Sequence, residues 1–318
     1  MIPRLTSGVF LLLAICASTA HTAPPPERTS RATANLGSAP QFRADSSVVI
    51  VNASVTDSRG HAVAGLPPAS FHVFEDGIEQ KIAYFSTDDA PVSMTLVLDY
   101  SFSMKPKFKL LRQAVAELMK ASDPADEFCL IGFRDRPEAP LGFTDAAEIE
   151  SRLISVEPRG NTALLDAVDL GLRSFKRANH ARRALLIVSD GEDNHSRLRP
   201  WEVKSAAREA DGEIYAIRLD TSYRPVGKPR EVEEGAALLE DIAGPGGGAY
   251  YDIDDVRELP GMVRKIGEQL RHEYVLGYVP NHSERDGKYR RIRLKLSPPS
   301  GQPRLSARWK RGYYSPAD

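Results

Sequence analysis

From Val92 onward, short apolar runs alternate with stretches whose apolar residues recur at helical spacing. Val92 to Leu98, Phe128 to Phe133 and Ala184 to Ser189 are too continuously apolar to have one wet face, as expected of strands covered on both sides, and Glu213 to Leu219 reads as a further strand. Between them, Leu111, Val115, Leu118 and Met119 share one helical face over Lys107 to Lys120, and Leu165, Val168, Leu172 and Phe175 share another. Asp145 to Ile154, Trp201 to Ala210, Val232 to Ile242 and Val256 to Arg271 read as further helices, Ala139 to Phe143 as a short edge strand and Ala249 to Asp252 as a last strand. This alternation predicts an α/β fold: a doubly wound, mostly parallel six-stranded sheet in the order 3-2-1-4-5-6, with helices on both faces.

The flanks follow a period of two. Val49, Val51, Ala53 and Val55 alternate before the turn Asp57-Ser58-Arg59-Gly60, and Phe71, Val73 and Glu75 run into Asp76-Gly77, with Ile82 to Phe85 beyond. After Glu273, Tyr274 to Val279 reads as a strand and Asp286-Gly287 as a hairpin. Ile292, Leu294 and Leu296 then alternate with Arg291, Arg293 and Lys295, and Arg304 to Lys310 follows as one more strand. The basic positions could form a polyanion patch, but they read better as the solvated face of that sheet. Residues 46–87 are too short to fold confidently alone. The expectation is one small β module, built by 46–87 and 273–318 on either side of an α/β domain at 88–272.

The amino-terminal end adds an address. Arg4, the apolar core Val9 to Ala17 and the small residues Ser18-Thr19-Ala20 have the form of an export signal, with cleavage expected after Ala20. That core is too short to span a membrane, and no later stretch is long and apolar enough. The mature chain is therefore expected to be exported, periplasmic or secreted, with no transmembrane helix. A lipoprotein anchor through Cys16 is disfavoured by the bulk of Ile15 before it. Residues 21–45, rich in Pro, Ala, Ser and Thr, read as a flexible linker. Once the signal is removed only Cys129 remains, which excludes a disulfide framework; within Phe128-Cys129-Leu130-Ile131 it reads as a core thiol. A formal net charge of −1 gives no overall field for nucleic acid.

Candidate chemistry gathers at strand ends. Val92 to Leu98 stops in Asp99-Tyr100-Ser101-Phe102-Ser103, an oxygen at every second residue. One carboxylate and two hydroxyls suit a hard cation, which takes oxygen ligands; the same residues also suit a helix cap. Asp190 ends the fourth strand, and strands 1 and 4 are neighbours at the point where the predicted order reverses, where ligand sites form. Thr162, at the start of the helix before the fourth strand, lies on a loop that reaches the same edge. The glycine run Gly244-Pro245-Gly246-Gly247-Gly248 has neither phosphate-loop nor dinucleotide spacing and reads as a turn. Glu192, Asp193 and Asn194 read as a solvated acidic loop rather than a second cation site, and Asp166 as a support for the Thr162 loop or its helix.

Taken together, Asp99-x-Ser101-x-Ser103, Thr162 in Gly-Asn-Thr-Ala-Leu-Leu-Asp, and Asp190 in Val-Ser-Asp-Gly resemble the metal-ion-dependent adhesion site of the von Willebrand factor type A family over about residues 88–272. The flanks Val55 to Gly60, Phe71 to Gly77, Tyr274 to Tyr278 and Lys310 to Tyr314 resemble bacterial exported proteins related to that family. The resemblance implies Mg²⁺, with Mn²⁺ or Ca²⁺ as substitutes, bound by the hydroxyls of Ser101, Ser103 and Thr162, with Asp99 and Asp190 acting directly or through water. It further implies a partner protein that supplies an acidic residue to the metal. Tyr100 and Phe102 stand where small residues are common in the family.

Two other readings are carried forward. One is a scaffold of the same fold with an unused metal site. The other is a Mg²⁺-dependent hydrolase with an aspartyl nucleophile, which needs a second acid where this chain has Ser101. No H-E-x-x-H or G-x-S-x-G spacing is present, and His195 reads as a loop residue, so no catalytic residue is expected.

Overall fold

Strands from the two ends of the chain share sheets, and the α/β domain interrupts them. A computed structural model describes residues 48–87, 89–140, 142–219, 229–281, 284–299 and 304–317, leaving out the side chains of 229–232. The expected signal at 1–20, Cys16 and the linker at 21–45 lie outside the described residues.

The flanks form two four-stranded antiparallel sheets. The first contains β1 (Val49–Thr56), β4 (Ile82–Ser86), β10 (Glu273–Tyr278) and β12 (Ser306–Trp309), in the order β12-β1-β10-β4. The second contains β2 (Phe71–Glu75), β3 (Ile78–Gln80), β11 (Tyr289–Leu296) and β13 (Gly312–Tyr314), in the order β13-β11-β2-β3. Their inner faces meet in one core of Val51, Ala53, Phe71, Val73, Leu276 and Ile292, among others. The β2–β3 turn is formed by Asp76 at φ 48° and Gly77 at φ 89°, both left-handed, as a two-residue hairpin requires.

The Asp286-Gly287 hairpin expected from sequence does not form. Both edges of β10 are taken by β1 and β4, and β11 pairs with β2 and β13. The turn instead carries the chain from one sheet to the other, a longer connection than a tight hairpin needs.

The central sheet contains β5 (Val92–Asp99), β6 (Glu127–Phe133), β7 (Arg182–Ser189), β8 (Glu213–Leu219) and β9 (Tyr250–Ile253), all parallel, in the order β6-β5-β7-β8-β9. Every residue of β5 is buried, as its unbroken apolar run predicted. One face packs against α1 (Phe108–Ala121), α2 (Ala146–Ile154) and α6 (Leu259–Arg271), the other against α3 (Leu164–Ser174), α4 (Pro200–Glu209) and α5 (Pro229–Ala243). The six-strand expectation counted one strand too many. Among the described residues the expected edge strand is absent: isolated bridges on either side of it, Phe133 to Pro137 and Phe128 to Thr144, are the contacts with β6, and Pro137 and Pro140 have no N–H to extend a ladder. Cys129 is buried, and burial pushes its thiol up to about 11, so it is a poor nucleophile.

A polar cluster is sealed where the sandwich meets the amino-terminal edge of the parallel sheet. The first residues of three strands, Arg182 of β7, Glu213 of β8 and Glu273 of β10, are all buried there. Arg182 Nε lies 3.4 Å from Glu273 Oε2, and its Nη1 donates to the carbonyls of Ala90 and Leu270, each at 3.3 Å. The Tyr215 hydroxyl donates to Glu213 Oε2 at 2.5 Å. Burial, and for Glu273 also the charge of Glu213, holds both carboxyls above their ordinary range, with Arg308 and Arg182 countering at Glu213.

Candidate functional site

Three loops converge at the carboxyl ends of β5 and β7. The two strands are parallel neighbours, registered through Leu98 and Val188, so Asp99 and Asp190 leave the sheet side by side. Asp99 is fully buried: Oδ1 accepts from the Ser101 N–H at 2.8 Å, and Oδ2 accepts from the Ser189 hydroxyl at 2.6 Å. Ser189 is itself held by the Gly191 N–H at 3.1 Å. Ser101 Oγ and Ser103 Oγ lie 3.1 Å apart. Burial, and next the charge of Asp190, raise the Asp99 carboxyl to about 7, against hydrogen bonds from Ser101 and Ser189 that pull it down.

Thr162 is buried in the loop before α3 and is clamped from the β7–α4 loop. Its N–H donates to Asn194 Oδ1 at 2.9 Å, and its carbonyl accepts from the N–H groups of Asn194 and His195, both at 3.0 Å. The same loop meets the Asp99 segment through Phe102 N–H to the Gly160 carbonyl at 3.1 Å and Arg159 N–H to the Tyr100 carbonyl at 2.8 Å. Backbone bonds therefore lace all three segments that carry Asp99, Ser101, Ser103, Thr162 and Asp190.

Sequence reasoning missed the residues that do this lacing. Asp193 Oδ1 accepts from the Leu164 N–H at 3.0 Å and the Ser196 hydroxyl at 2.6 Å, so it caps α3 from across the site. Asn194 holds Thr162, and Ser189 holds Asp99. Asp166 accepts from the N–H groups of Arg197 and Leu198, at 3.1 and 3.0 Å, so it braces the β7–α4 loop rather than the Thr162 loop. The run Asp190 to Ser196 carries the available signal: four small oxygen-bearing side chains directly after a buried strand. Replacement Asn194→Ala leaves the part-buried Thr162 N–H without its acceptor. It is expected to cost about 1–2 kcal/mol, read by urea unfolding; an unchanged midpoint would show that the clamp contributes nothing.

The two bulky residues between the serines part company. Tyr100 is buried, edge-on to Phe108 at 5.4 Å between ring centroids, in space left by Gly132 of the neighbouring strand. Phe102 is 67% exposed and stands out beside the site. Among the described residues no group of three or more His, Cys, Asp and Glu side chains is placed to hold a metal ion.

Residues 94–192 match the family model of the von Willebrand factor type A domain. The chain carries a von Willebrand factor type A domain. All five candidate positions of this type A domain fall within the matched residues. No curated protein matches the chain significantly. An aerotolerance-related membrane protein from Bacteroides fragilis is 20% identical, with a TM-score of 0.43, over 56% of this chain and 99% of that one. A von Willebrand factor type A protein from Catenulispora acidiphila is 12% identical, with a TM-score of 0.47, over 87% of this chain and 75% of that one. The open form of the pilus adhesin SpaC from Lactobacillus rhamnosus GG is 11% identical, with a TM-score of 0.48, over 83% of this chain and 48% of that one. Among the described residues no helix is long and apolar enough to cross a membrane.

Proposed function

We propose that this protein is an exported, metal-ion-dependent protein-binding module, in which Ser101, Ser103, Thr162, Asp99 and Asp190 hold Mg²⁺ (or Mn²⁺ or Ca²⁺) and a partner protein completes the site with a carboxylate. The observation that supports it most is the convergence of the buried Asp99 carboxyl and Asp190 at neighbouring strand ends with the Ser101 and Ser103 hydroxyls, where burial and the charge of Asp190 raise the Asp99 carboxyl. A divalent cation relieves such a pair. The donor set also suits a small hard ion: the 3.1 Å between Ser101 Oγ and Ser103 Oγ compares with about 3 Å for the edge of an octahedron with ~2.1 Å bonds. Neutral hydroxyls leave a bound cation electrophilic, which favours an incoming carboxylate.

The surroundings suit an acidic partner. A cleft of about 940 Å³ beside the Thr162 loop includes Arg136, Arg197 and His195 in its wall. Its three acids are engaged: Asp135 with Asn161, Glu138 with Arg134, and Asp166 with the β7–α4 backbone. Among the described residues neither Arg136 nor Arg197 has a carboxylate partner. Exposed Phe102 offers the apolar contact next to the metal. A nucleophilic role for Asp99 is disfavoured because Ser101 stands where such chemistry needs a second acid. The reading is of a binding protein and not of an enzyme.

Thermal unfolding against Mg²⁺, with and without chelator, tests this. At ten times the dissociation constant, linkage predicts about 1.4 kcal/mol of stabilisation in the wild type and none in Asp99→Ala. A wild type indifferent to Mg²⁺, Mn²⁺ and Ca²⁺ would leave the metal-free scaffold as the better reading.

A further inference from the structure

Many arginines among the described residues form ion pairs with carboxylates. Arg152 with Glu148, Arg173 with Asp169, Arg218 with Asp252, Arg264 with Glu268 and Arg271 with Asp126 make ion pairs between 2.6 and 2.9 Å. One groove of about 620 Å³, formed by α4, α5, β11 and the β12–β13 edge, departs from this. Arg208, Arg291, Arg293 and Arg311 line it together, and among the described residues none of the four has a carboxylate partner. Of the two acids in its wall, Asp241 is held by Lys204 at 2.5 Å, which leaves Glu240 against four guanidinium groups.

The cations are positioned rather than loose. Arg311 lies 4.2 Å above the Trp309 ring, and Arg293 lies 5.6 Å above Phe74. Tyr289 and Tyr314 pair edge to face at 5.1 Å between centroids, and both remain accessible. Gathering four like charges along one groove is unfavourable unless an anion neutralises them. Arg208 closes α4 just before β8 begins, so the groove lies at the amino-terminal end of the parallel sheet, opposite the candidate metal site.

We propose that this groove is a second binding site, for an extended acidic peptide segment. Arg291 and Arg293 are alternate residues of β11, and their partners Ile292 and Leu294 face the core. Alternate positions on a strand repeat at about 6.6–6.8 Å, the same repeat as alternate side chains of an extended peptide. A Glu or Asp at every second position therefore meets successive guanidinium forks, each able to grip a carboxylate through two bonds. The Tyr289–Tyr314 pair supplies a surface for the aliphatic parts of the segment.

The probe is the peptide acetyl-(Glu-Thr)₄-amide, titrated into the full chain by calorimetry. Saturable binding is expected, about tenfold or more weaker in Arg291→Ala/Arg293→Ala. It weakens at about 0.5 M NaCl, where screening shortens to a few Å, and it is unchanged by chelator or by Ser101→Ala, which separates this site from the metal centre. If the alanine variant fails to fold, judged by near-ultraviolet circular dichroism, the pair Arg291→Lys/Arg293→Lys decides, with about a threefold or greater loss expected from losing the forks. The proposal is overturned if the wild type shows no saturation, if folded variants bind equally well, or if polygalacturonate saturates the groove at lower concentration than the peptide.

Discussion

Replacing Arg182 with Ala is expected to cost about 3–5 kcal/mol, the usual penalty for removing one partner from a buried charged group. The guanidinium offsets Glu273 from 3.4 Å and satisfies the carbonyls of Ala90 and Leu270. Without it, Glu273 and two carbonyls lose their cation, and Glu213 is left with Arg308. The effect should depend on pH, and its sign follows from linkage. Glu213 and Glu273 already sit above their ordinary range, so the native state keeps protons that the unfolded chain has released. Stability therefore falls as pH rises through and beyond the usual carboxylate range. Arg182→Ala raises both carboxyls further and steepens that fall, whereas Glu273→Gln in the wild type flattens it. Urea unfolding at about pH 5 and pH 8 measures both slopes. Equal losses at the two values would mean that the carboxyls are already solvated and the cluster is not sealed.

Gly132→Ala is expected to cost about 3 kcal/mol, the upper part of the range for overpacking. A Cβ at Gly132 would sit 1.8 Å from Tyr100 Cε2 and 2.5 Å from Cδ2 and Cζ. The ring is buried and edge-on to Phe108, so it has no free space to enter. Tyr100 lies between Asp99 and Ser101, so a displaced ring moves candidate ligands as well as the core, and the response to Mg²⁺ should weaken with stability. The double variant Gly132→Ala/Tyr100→Ser removes the clash. Its loss should be smaller than the sum of the two single losses, a coupling that a double-mutant cycle measures. Additive losses would show that ring and glycine do not share that space.

The parallel sheet was legible because both-face burial leaves an unmistakable record: β5, β6 and β7 are each built on an apolar run that ends in a polar turn. Adjacency of β5 and β7 followed from winding rules, and with it the meeting of Asp99 and Asp190. Residues 139–143 misled because their composition suits an edge strand, while Pro137 and Pro140 remove the donors a ladder needs. The Asp286-Gly287 hairpin failed for another reason. A turn dipeptide says that the chain bends, not which strands are already occupied, and β10 has neighbours on both sides. The lacing by Ser189, Asp193 and Asn194 was hidden because side-chain to backbone bonds have no period. The Arg–Glu cluster at the joint was hidden because its members, Arg182, Glu213 and Glu273, are far apart in the chain and meet only when sheet and sandwich dock.

The interleaving of β1 and β4 with β10 and β12 sets a timetable for the growing polypeptide. β1 lies between β10 and β12, and β4 hangs on β10 alone. When β1 to β4 emerge from the ribosome, most of their hydrogen-bonding partners have not been made. They must wait while the stretch from Ser86 to Glu273 is translated, about 10–40 s at ~5–20 residues per second. The α/β domain holds its own strands and helices, so it has everything it needs to fold during that wait. It also starts next to β4 and ends next to β10, which are themselves neighbours. Once folded, it brings the first and last segments of the sandwich within reach of each other, and the middle of the chain serves as a template for joining its two ends.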